Sequence, residues 1–298
     1  MSPRQPSHPT DLATDPRDLA AARVAWHDAE RTCTPACAGY HRLWPTLRLL
    51  GLGSGPVRHR ALFARAVEQA LAEPRPRLLV AGQADHAMAA LVVEALAGQQ
   101  ARVQLLDRCA TPVAAAQRWI GELRPDLEVA VEVGDARLVA AEGAADRGRP
   151  AVDLVVTHSF LSQVPPEDRS PLVAALGARL APGGRLVTNT RLAPADDDGR
   201  FHAAEADRLR AALRSEADRR PELLPASVDA VVDAVGAYVD AVRIHPVHEA
   251  AEVEAAVADA GLVLERLDEV ARPGAATGPG TAQAATYLEI TARRPPIR

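Results

Sequence analysis

Short apolar runs alternate with longer segments of helical spacing from residue 77 onward. The first run, residues 78–81, reads LLVA, stops at Gly82 and is followed by a polar turn and an Ala/Leu/Val-rich helical segment. Further strand-like runs occupy residues 101–107, 127–134, 152–159 and 185–192. Because strands that alternate with helices pair in parallel, this pattern predicts an α/β fold with a doubly wound, mostly parallel sheet.

The C-terminal pattern differs from this alternation. A predicted helix at 249–260 precedes two strand-like segments, 262–270 and 285–294, which are separated by a Gly/Pro/Ala loop without a helix. Two strands joined in this way most simply pair antiparallel, so we expect a seven-stranded sheet that ends in an antiparallel hairpin. A charged stretch at 196–245 interrupts the alternation and predicts a helical insertion.

Helical patterns also fill the N-terminal part of the chain. Residues 1–14 are polar and Pro-rich, which predicts disorder. Asp15-Pro16 and Thr34-Pro35 each combine an N-cap residue with proline at the first helical position, and Pro56 opens a third predicted helix. We therefore expect a disordered N-terminus (1–14), an N-terminal helical cap (15–76) and an α/β domain (77–298) that carries the insertion 196–245.

Composition excludes several classes of function. The formal net charge of −5 over 298 residues argues against a general binder of nucleic acid or of anionic membranes. All of the basic residues are arginine, which excludes a catalytic lysine or Schiff base. No apolar run reaches the roughly 18 residues of a membrane-spanning helix, and the N-terminus lacks the apolar core of a signal peptide. We expect a cytoplasmic protein with a small-molecule substrate, and leave a homodimer open.

Three local features resemble the class I S-adenosylmethionine-dependent methyltransferases. Asp107 ends the second predicted strand, Asp135 follows the third within Gly-Asp-Ala, and residues 180–187 read LAPGGRLV ahead of the fifth. The resemblance covers about residues 77–294 without the insertion. It implies a Rossmann-like methyltransferase fold that binds S-adenosylmethionine. It further implies that Asp107 holds the ribose hydroxyls of the cofactor and that Asp135 meets its adenine amino group.

The position of these acids agrees with the resemblance, because ligands of open parallel sheets bind beyond the carboxyl ends of the strands. Gly82 lacks a Cβ, so its backbone can approach a ligand closely. In the family's first motif, acid-x-Gly-x-Gly-x-Gly, Val80, Ala84 and His86 replace the acid and two glycines. The predicted cofactor-binding residues are Gly82, Ala84, Asp85, Asp107, Arg108, Asp135, Ala136, His158 and Ser159.

Three residues are candidates for catalysis. His158 follows the fourth predicted strand, where a histidine can take a proton from a hydroxyl or amine that attacks the methyl group. The alternative is a histidine that is hydrogen-bonded in the loop or packed on adenine. Tyr40 and His41 belong to the predicted cap and are candidates for polar contacts to the substrate.

Four further residues are candidates for substrate binding. Trp26 and Trp44 belong to an aromatic cluster that either forms plain core or walls a substrate pocket above the cofactor. Arg191 and His202 flank the start of the insertion, where they are suited to orient an acidic substrate. For His202 the alternative is a solvated helix face.

Cys33, Cys37 and His41 are spaced at intervals of four, which suggests metal ligands on one helical face. However, Pro35 is expected to start a helix after Cys33, and the sequence offers no evident fourth ligand. We therefore expect buried small residues here and no metal site. The three cysteines, Cys109 included, give no disulfide framework.

The leading interpretation is a methyltransferase of secondary-metabolite biosynthesis that transfers a methyl group to a small molecule by in-line SN2 displacement. Holding nucleophile and methyl group close and aligned would supply most of the catalysis. The nucleophile can be oxygen, nitrogen, sulfur or carbon. One alternative is a protein that keeps the fold and binds a ligand or partner without methyl transfer. Another is a nicotinamide-dependent oxidoreductase, although its Gly-x-Gly-x-x-Gly motif is absent.

Overall fold

The computed structural model describes residues 15–138, 151–272 and 285–296. Their seven strands form one sheet in the order β3-β2-β1-β4-β5-β7-β6. The first five strands are parallel, and β7 runs antiparallel to both β5 and β6. The predicted fold class is confirmed, including the C-terminal hairpin. The strands are β1 Arg77–Ala81, β2 Arg102–Asp107, β3 Glu128–Val133, β4 Val152–Val156, β5 Leu180–Leu192, β6 Val263–Arg272 and β7 Ala285–Arg293.

Ten α-helices lie within the described residues, and none of these is long and apolar enough to cross a membrane. The first begins as the sequence predicts, because the Asp15 side chain accepts a hydrogen bond from the Arg17 backbone N–H (2.9 Å). Pro56 opens a 3-10 turn, Pro56–His59, ahead of the third helix. The helices are α1 Pro16–Thr32, α2 Pro35–Leu49, α3 Arg60–Ala70, α4 Ala87–Ala95, α5 Ala110–Leu123, α6 Pro166–Arg179, α7 Ala203–Arg219, α8 Val228–Asp233, α9 Val235–Ala241 and α10 Ala250–Asp259.

Strand β1 separates the two hydrophobic cores of the sheet. Successive side chains of a strand point to opposite faces. Leu78 and Val80 accordingly pack with residues of α3, α4 and α5, whereas Leu79 and Ala81 pack with residues of α6 and α10. Because both faces of β1 are covered, its sequence is apolar at every one of these four positions.

The Pro-Gly-Gly segment occupies a different place from the predicted one. We expected a turn that precedes the fifth strand, but Gly183 and Gly184 lie within β5, which begins at Leu180. The pairing with β4 shifts between Val152 and Leu154, so the segment forms an irregularity in the strand. Gly183 adopts φ +85°, a left-handed conformation that glycine tolerates best.

A third hydrophobic cluster joins the N-terminal cap to the insertion. Trp26 of α1 and Leu43 and Trp44 of α2 pack against Leu213 of α7 and Tyr238 of α9. Helix α3 belongs instead to the core on the sheet. The part of the predicted cap that covers the insertion therefore consists of α1 and α2.

A buried histidine links the turn before α3 to the sheet. His59 is 1 % exposed, and its Nδ1 lies 2.8 Å from Oε1 of Glu289 in β7, which also accepts a hydrogen bond from Arg272 (2.7 Å). Burial, opposed by Glu289, lowers the pKa of His59 to about 4. The folded protein therefore holds this ring neutral at pH values where the unfolded chain already takes up a proton.

We predict that the free energy of unfolding falls as the pH is lowered from about 6.5 to 4, because protonation of His59 then favours the unfolded chain. At pH 5 this single group accounts for a loss of about 2 kcal/mol relative to neutral pH. Urea denaturation of the wild type and His59→Asn at pH 7.5 and pH 5 measures it. The variant should lose less stability on acidification than the wild type, and equal losses would contradict the prediction.

Candidate functional site

A cavity of about 660 Å³ lies at the carboxyl ends of the central parallel strands. Its size suits a small-molecule site, since such sites usually enclose about 300–1,000 Å³. Residues of the sheet edge and residues of the cap and insertion line it together. From the sheet edge come Gly82, Ala84, Asp85, Asp107, Arg108, Asp135, Ala136, His158 and Ser159, and from the helical regions come Cys37, Tyr40, His41, Trp44 and Tyr238.

Gly82 is the point at which β1 turns toward the cavity. Its φ is +67°, and its N–H donates to the carbonyl of Leu106 (3.0 Å). A Cβ at this position would lie 2.6 Å from the ring of Phe160. Both the backbone conformation and the packed ring therefore require glycine here.

The Asp107 carboxylate is fixed by the backbone at the end of β2. Its Oδ2 accepts a hydrogen bond from the N–H of Gln83 (2.7 Å), and its Oδ1 accepts one from the N–H of Cys109 (2.7 Å). Burial raises the pKa of Asp107, although these two N–H groups favour the charged form. Each carboxylate oxygen can accept a second hydrogen bond, so the group can also hold two ligand hydroxyls.

Asp135 lies after β3 and is paired with its neighbour. It accepts hydrogen bonds from the backbone N–H of Arg137 (2.9 Å) and from Nη2 of the same residue (2.7 Å). The Arg137 side chain, which also contacts Asp168, lowers the pKa of Asp135. A ligand amino group that binds Asp135 must therefore share its carboxylate with Arg137.

His158 is held from both sides at the end of β4. Its Nδ1 lies 2.8 Å from Oδ1 of Asn189, and its Nε2 lies 3.0 Å from the carbonyl oxygen of Ser54. These contacts favour the protonated ring, but burial lowers the pKa of His158 and favours the neutral ring, whose single N–H donates to one of the two oxygens. Ser159 follows with φ +52°, a left-handed conformation that is uncommon outside glycine.

A charged network connects the turn after β1 to the cap. Arg48 of α2 donates from Nε to Oδ2 of Asp85 (2.6 Å), and the other Asp85 oxygen accepts from the N–H of Ala87 at the start of α4 (2.8 Å). His86 Nε2 donates to Oδ1 of Asp18 in α1 (2.7 Å). Burial opposes ionisation of Asp85, but Arg48 and His86 hold its pKa below the usual value. The side chains of Asp85 and His86, in the turn after β1, thus bind residues of the cap.

Aromatic rings of the cap and insertion form the wall opposite the strand ends. The Tyr40 ring stacks on Trp44 at 5.6 Å between centroids and on Tyr238 of α9 at 5.8 Å. Burial raises the pKa of Tyr40 far above its usual value, so its hydroxyl stays protonated and can donate a hydrogen bond. Ring faces of this kind attract cations.

Comparison with known proteins gives local sequence matches and distant structural ones. No protein-family profile matches the chain. Carboxy-S-adenosyl-L-methionine synthases match locally: that of Shewanella sp. (strain W3-18-1) is 32% identical over 95 residues, which are 32% of this chain and 36% of the synthase. That of Chromohalobacter salexigens is 35% identical over 92 residues, 31% of each protein. The matches thus span about a third of these curated relatives.

A solved structure of magnesium protoporphyrin IX methyltransferase from Synechocystis PCC 6803, with bound S-adenosylmethionine, aligns over 96% of this chain and all of that one. Its sequence identity is 15% and its TM-score 0.48. Independently of that alignment, β1–β5 run parallel and β6–β7 close the sheet as an antiparallel hairpin, as the sequence resemblance implies. The chain has the fold of a class I methyltransferase.

Within this methyltransferase fold, the structure brings most of the predicted site residues to one cavity. All nine predicted cofactor-binding residues line it, and so do Tyr40, His41, Trp44 and Arg191. Arg191 is buried and forms an ion pair with Asp197. Of the aromatic cluster, Trp44 belongs to the third hydrophobic core and also lines the cavity.

Two predictions of substrate-binding residues need correction. Trp26 is 6 % exposed, packs in the third core beneath the Arg42 guanidinium and does not line the cavity. His202 is the N-cap residue of α7, and its side chain is 71% exposed and 3.7 Å from Asp198. The solvated helix face, which was the alternative for His202, describes it correctly.

Sequence reasoning did not identify Cys109 as a neighbour of Cys33, Cys37 and His41. In the structure the three sulfurs and the imidazole nitrogen of these side chains lie within 4.8 Å of one another. Cys109 follows Asp107 by two positions and is far from the other three along the chain. The fourth ligand that was not evident in the sequence is therefore supplied by the fold.

The charged network was also missed, because Arg48 lies in a leucine-rich helix and Asp18 in a region read as plain cap. An arginine within the run LRLL does carry a signal, since a buried cation needs an acidic partner. The partner itself, Asp85, is distant in sequence, and only the fold brings the two together.

We predict that Arg48→Met lowers the free energy of unfolding by about 3–5 kcal/mol, because it leaves the buried Asp85 carboxylate without its cation. Urea denaturation of the variant measures this loss. Arg31→Met serves as the matched control, since Arg31 is 73% exposed in a surface ion pair and its removal should change little. Adding Asp85→Asn to Arg48→Met should recover part of the loss. Equal stability of the two single variants would refute the prediction.

Proposed function

We propose that the protein is an S-adenosylmethionine-dependent methyltransferase that acts on a small-molecule nucleophile of secondary metabolism. The observation that carries this proposal is the Asp107 carboxylate, which is fixed at the end of β2 beside the Gly82 turn and faces the cavity. Its two oxygens are matched to the two hydroxyls of a ribose. The net charge of −5 further supports a small molecule over nucleic acid as substrate.

The other lining residues fit the remaining parts of such a cofactor. Gly82 lines the cavity where β1 ends, and Asp135 offers a carboxylate to an adenine amino group. Tyr40, Trp44 and Tyr238 present aromatic rings, which suit a positively charged sulfonium. Bound here, S-adenosylmethionine supplies an electrophilic methyl group. We assign Asp85 to holding the turn in place, since its carboxylate is buried and paired with the Arg48 guanidinium.

The protein's own contribution to methyl transfer is then mostly placement. The cap and insertion cover the strand ends, which aligns a nucleophile with the methyl group and keeps water away. Neutral His158 can accept a proton from a hydroxyl or amine on the ring nitrogen that carries no hydrogen, once that nitrogen moves away from Asn189 or Ser54. We assign His41 no role as the base, because its ring lies among three cysteine sulfurs, with ligand atoms within 4.8 Å of one another.

One observation favours a second candidate function, in which the fold binds its ligand without methyl transfer. In the resembled family the turn after β1 carries glycines. Here its side chains bind the cap instead: His86 bonds to Asp18, and Arg48 neutralises the Asp85 carboxylate. A protein of this kind would retain cofactor binding at Asp107 but show no transfer to any acceptor. Turnover assays with labelled S-adenosylmethionine over a panel of small-molecule acceptors separate the two.

We predict that the wild type binds S-adenosylhomocysteine and that Asp107→Asn binds it at least about tenfold more weakly, because charge-assisted hydrogen bonds to the ribose are lost. Isothermal titration calorimetry measures both affinities. Asp126→Asn is the matched control, as that carboxylate lies on the surface beside Arg124. Absence of binding to folded wild-type protein would overturn the proposal.

A ligand-side version of the same test leaves the protein unchanged. If Asp107 binds the 2′ and 3′ hydroxyls of the ribose, adenosine should compete with S-adenosylhomocysteine more strongly than 2′,3′-dideoxyadenosine does. Equal competition would contradict the assigned role of Asp107 even where the Asn variant misfolds.

A further inference from the structure

We propose that Cys33, Cys37, His41 and Cys109 bind one zinc-class divalent metal ion, which fastens the N-terminal cap to the edge of the cavity. The four ligand atoms all lie within 4.8 Å of one another. Cys37, His41 and Cys109 are each less than 10 % exposed. Three sulfurs and an imidazole are the donors of tetrahedral Cys₃His zinc sites. The inference rests on this cluster and does not require methyl transfer.

The spacing within the cluster fits an ion of this size. Sulfurs bound to one tetrahedral zinc are about 3.8 Å apart, since each Zn–S bond is about 2.3 Å. Cys37 Sγ and Cys109 Sγ lie 2.9 Å apart, so binding moves them about 0.9 Å further from each other. Four protein ligands fill the tetrahedron, which is typical of a structural rather than an open catalytic site.

The surroundings of the ligands are those of a metal site. Metal-bound histidines usually donate their second ring N–H to a backbone carbonyl or carboxylate. His41 Nδ1 lies 3.2 Å from the carbonyl oxygen of Ala84, which leaves Nε2 with the lone pair. The hydroxyls of Thr111 and Thr34 lie 3.2 Å from the sulfurs of Cys33 and Cys37, where they can donate hydrogen bonds to thiolates.

Two helix N-termini add positive potential to the cluster. Cys37 belongs to the first turn of α2, and Cys109 is the N-cap residue of α5. These helices are 15 and 14 residues long, and their exposed N–H ends favour negative charge on nearby sulfur. The charge of three thiolates is thus offset by the metal and by the backbone together.

A disulfide between Cys37 and Cys109 is the competing use of this geometry. It would need the sulfurs at about 2.05 Å. A disulfide would also not explain why Cys33 and His41 lie beside the same two sulfurs. Metal binding accounts for all four side chains and for the orientation of the His41 ring.

The consequence concerns the cavity next to the cluster. Cys109 is two residues from Asp107, and His41 holds the carbonyl of Ala84 in the turn after β1. One ion would therefore tie α1 and α2 to the ends of both β1 and β2. Its removal should loosen the cap over the predicted cofactor site as well as lower the stability of the fold.

We expect the full-length protein, purified without chelator, to contain about one zinc per chain by inductively coupled plasma mass spectrometry. Cys37→Ser, Cys109→Ser and His41→Gln should each lose most of it. His27→Gln is the matched control, since His27 is exposed on α1, and it should retain the metal. Zinc retained in all three ligand variants would overturn the proposal.

Cobalt substitution of the wild type avoids variants that fail to fold. After removal of zinc, added Co²⁺ should produce the intense visible absorption of a tetrahedral cobalt–thiolate site, with a rise in the melting temperature. A wild type that takes up neither ion, or that shows a Cys37–Cys109 disulfide by non-reducing peptide mapping after anaerobic purification, would refute the site. Zinc binding without S-adenosylhomocysteine binding would refute only the proposed function.

Discussion

The buried ion pair between Arg48 and Asp85 is the constraint on which the site depends. Burying either charge alone is costly, so the cap and the turn after β1 must stay together. Asp85 also caps the start of α4 through Ala87, and Arg48 is fixed by α2. The conformation of the turn, and with it the position of Gly82 at the cavity, is therefore set partly from outside the sheet.

This constraint gives a physical account of a turn after β1 that contains a single glycine, Gly82. Glycines let a turn adopt the shape that a ligand demands, at a cost in conformational entropy. Here contacts from the cap hold the turn: His41 bonds to the carbonyl of Ala84, and Asp18 binds the His86 ring. Gly82 alone keeps a conformation that other residues rarely adopt, because the ring of Phe160 packs directly on it.

Local pattern predicted the parts of the fold that local physics determines. The continuous apolar run of β1, the proline-marked helix starts and the C-terminal hairpin all follow from neighbours in sequence. Contacts between distant segments did not follow. Cys109 lies 72 positions from Cys37, and nothing near either residue signals the other. His202 was misplaced for a related reason, since a charged helix start looks the same whether it faces a cavity or solvent.

Helix α2 brings the separate features of the site together on one face. Cys37, His41, Trp44 and Arg48 follow one another at intervals of four, three and four, the spacing of a single helical stripe. Along that stripe lie the thiol–imidazole cluster, the aromatic wall and the cation of the buried network. A stripe of mixed polarity would be a poor surface for plain packing. The mixed polarity of the stripe is explained by the partners that its residues contact. Helix α2 is therefore part of the site, together with the sheet edge that it covers.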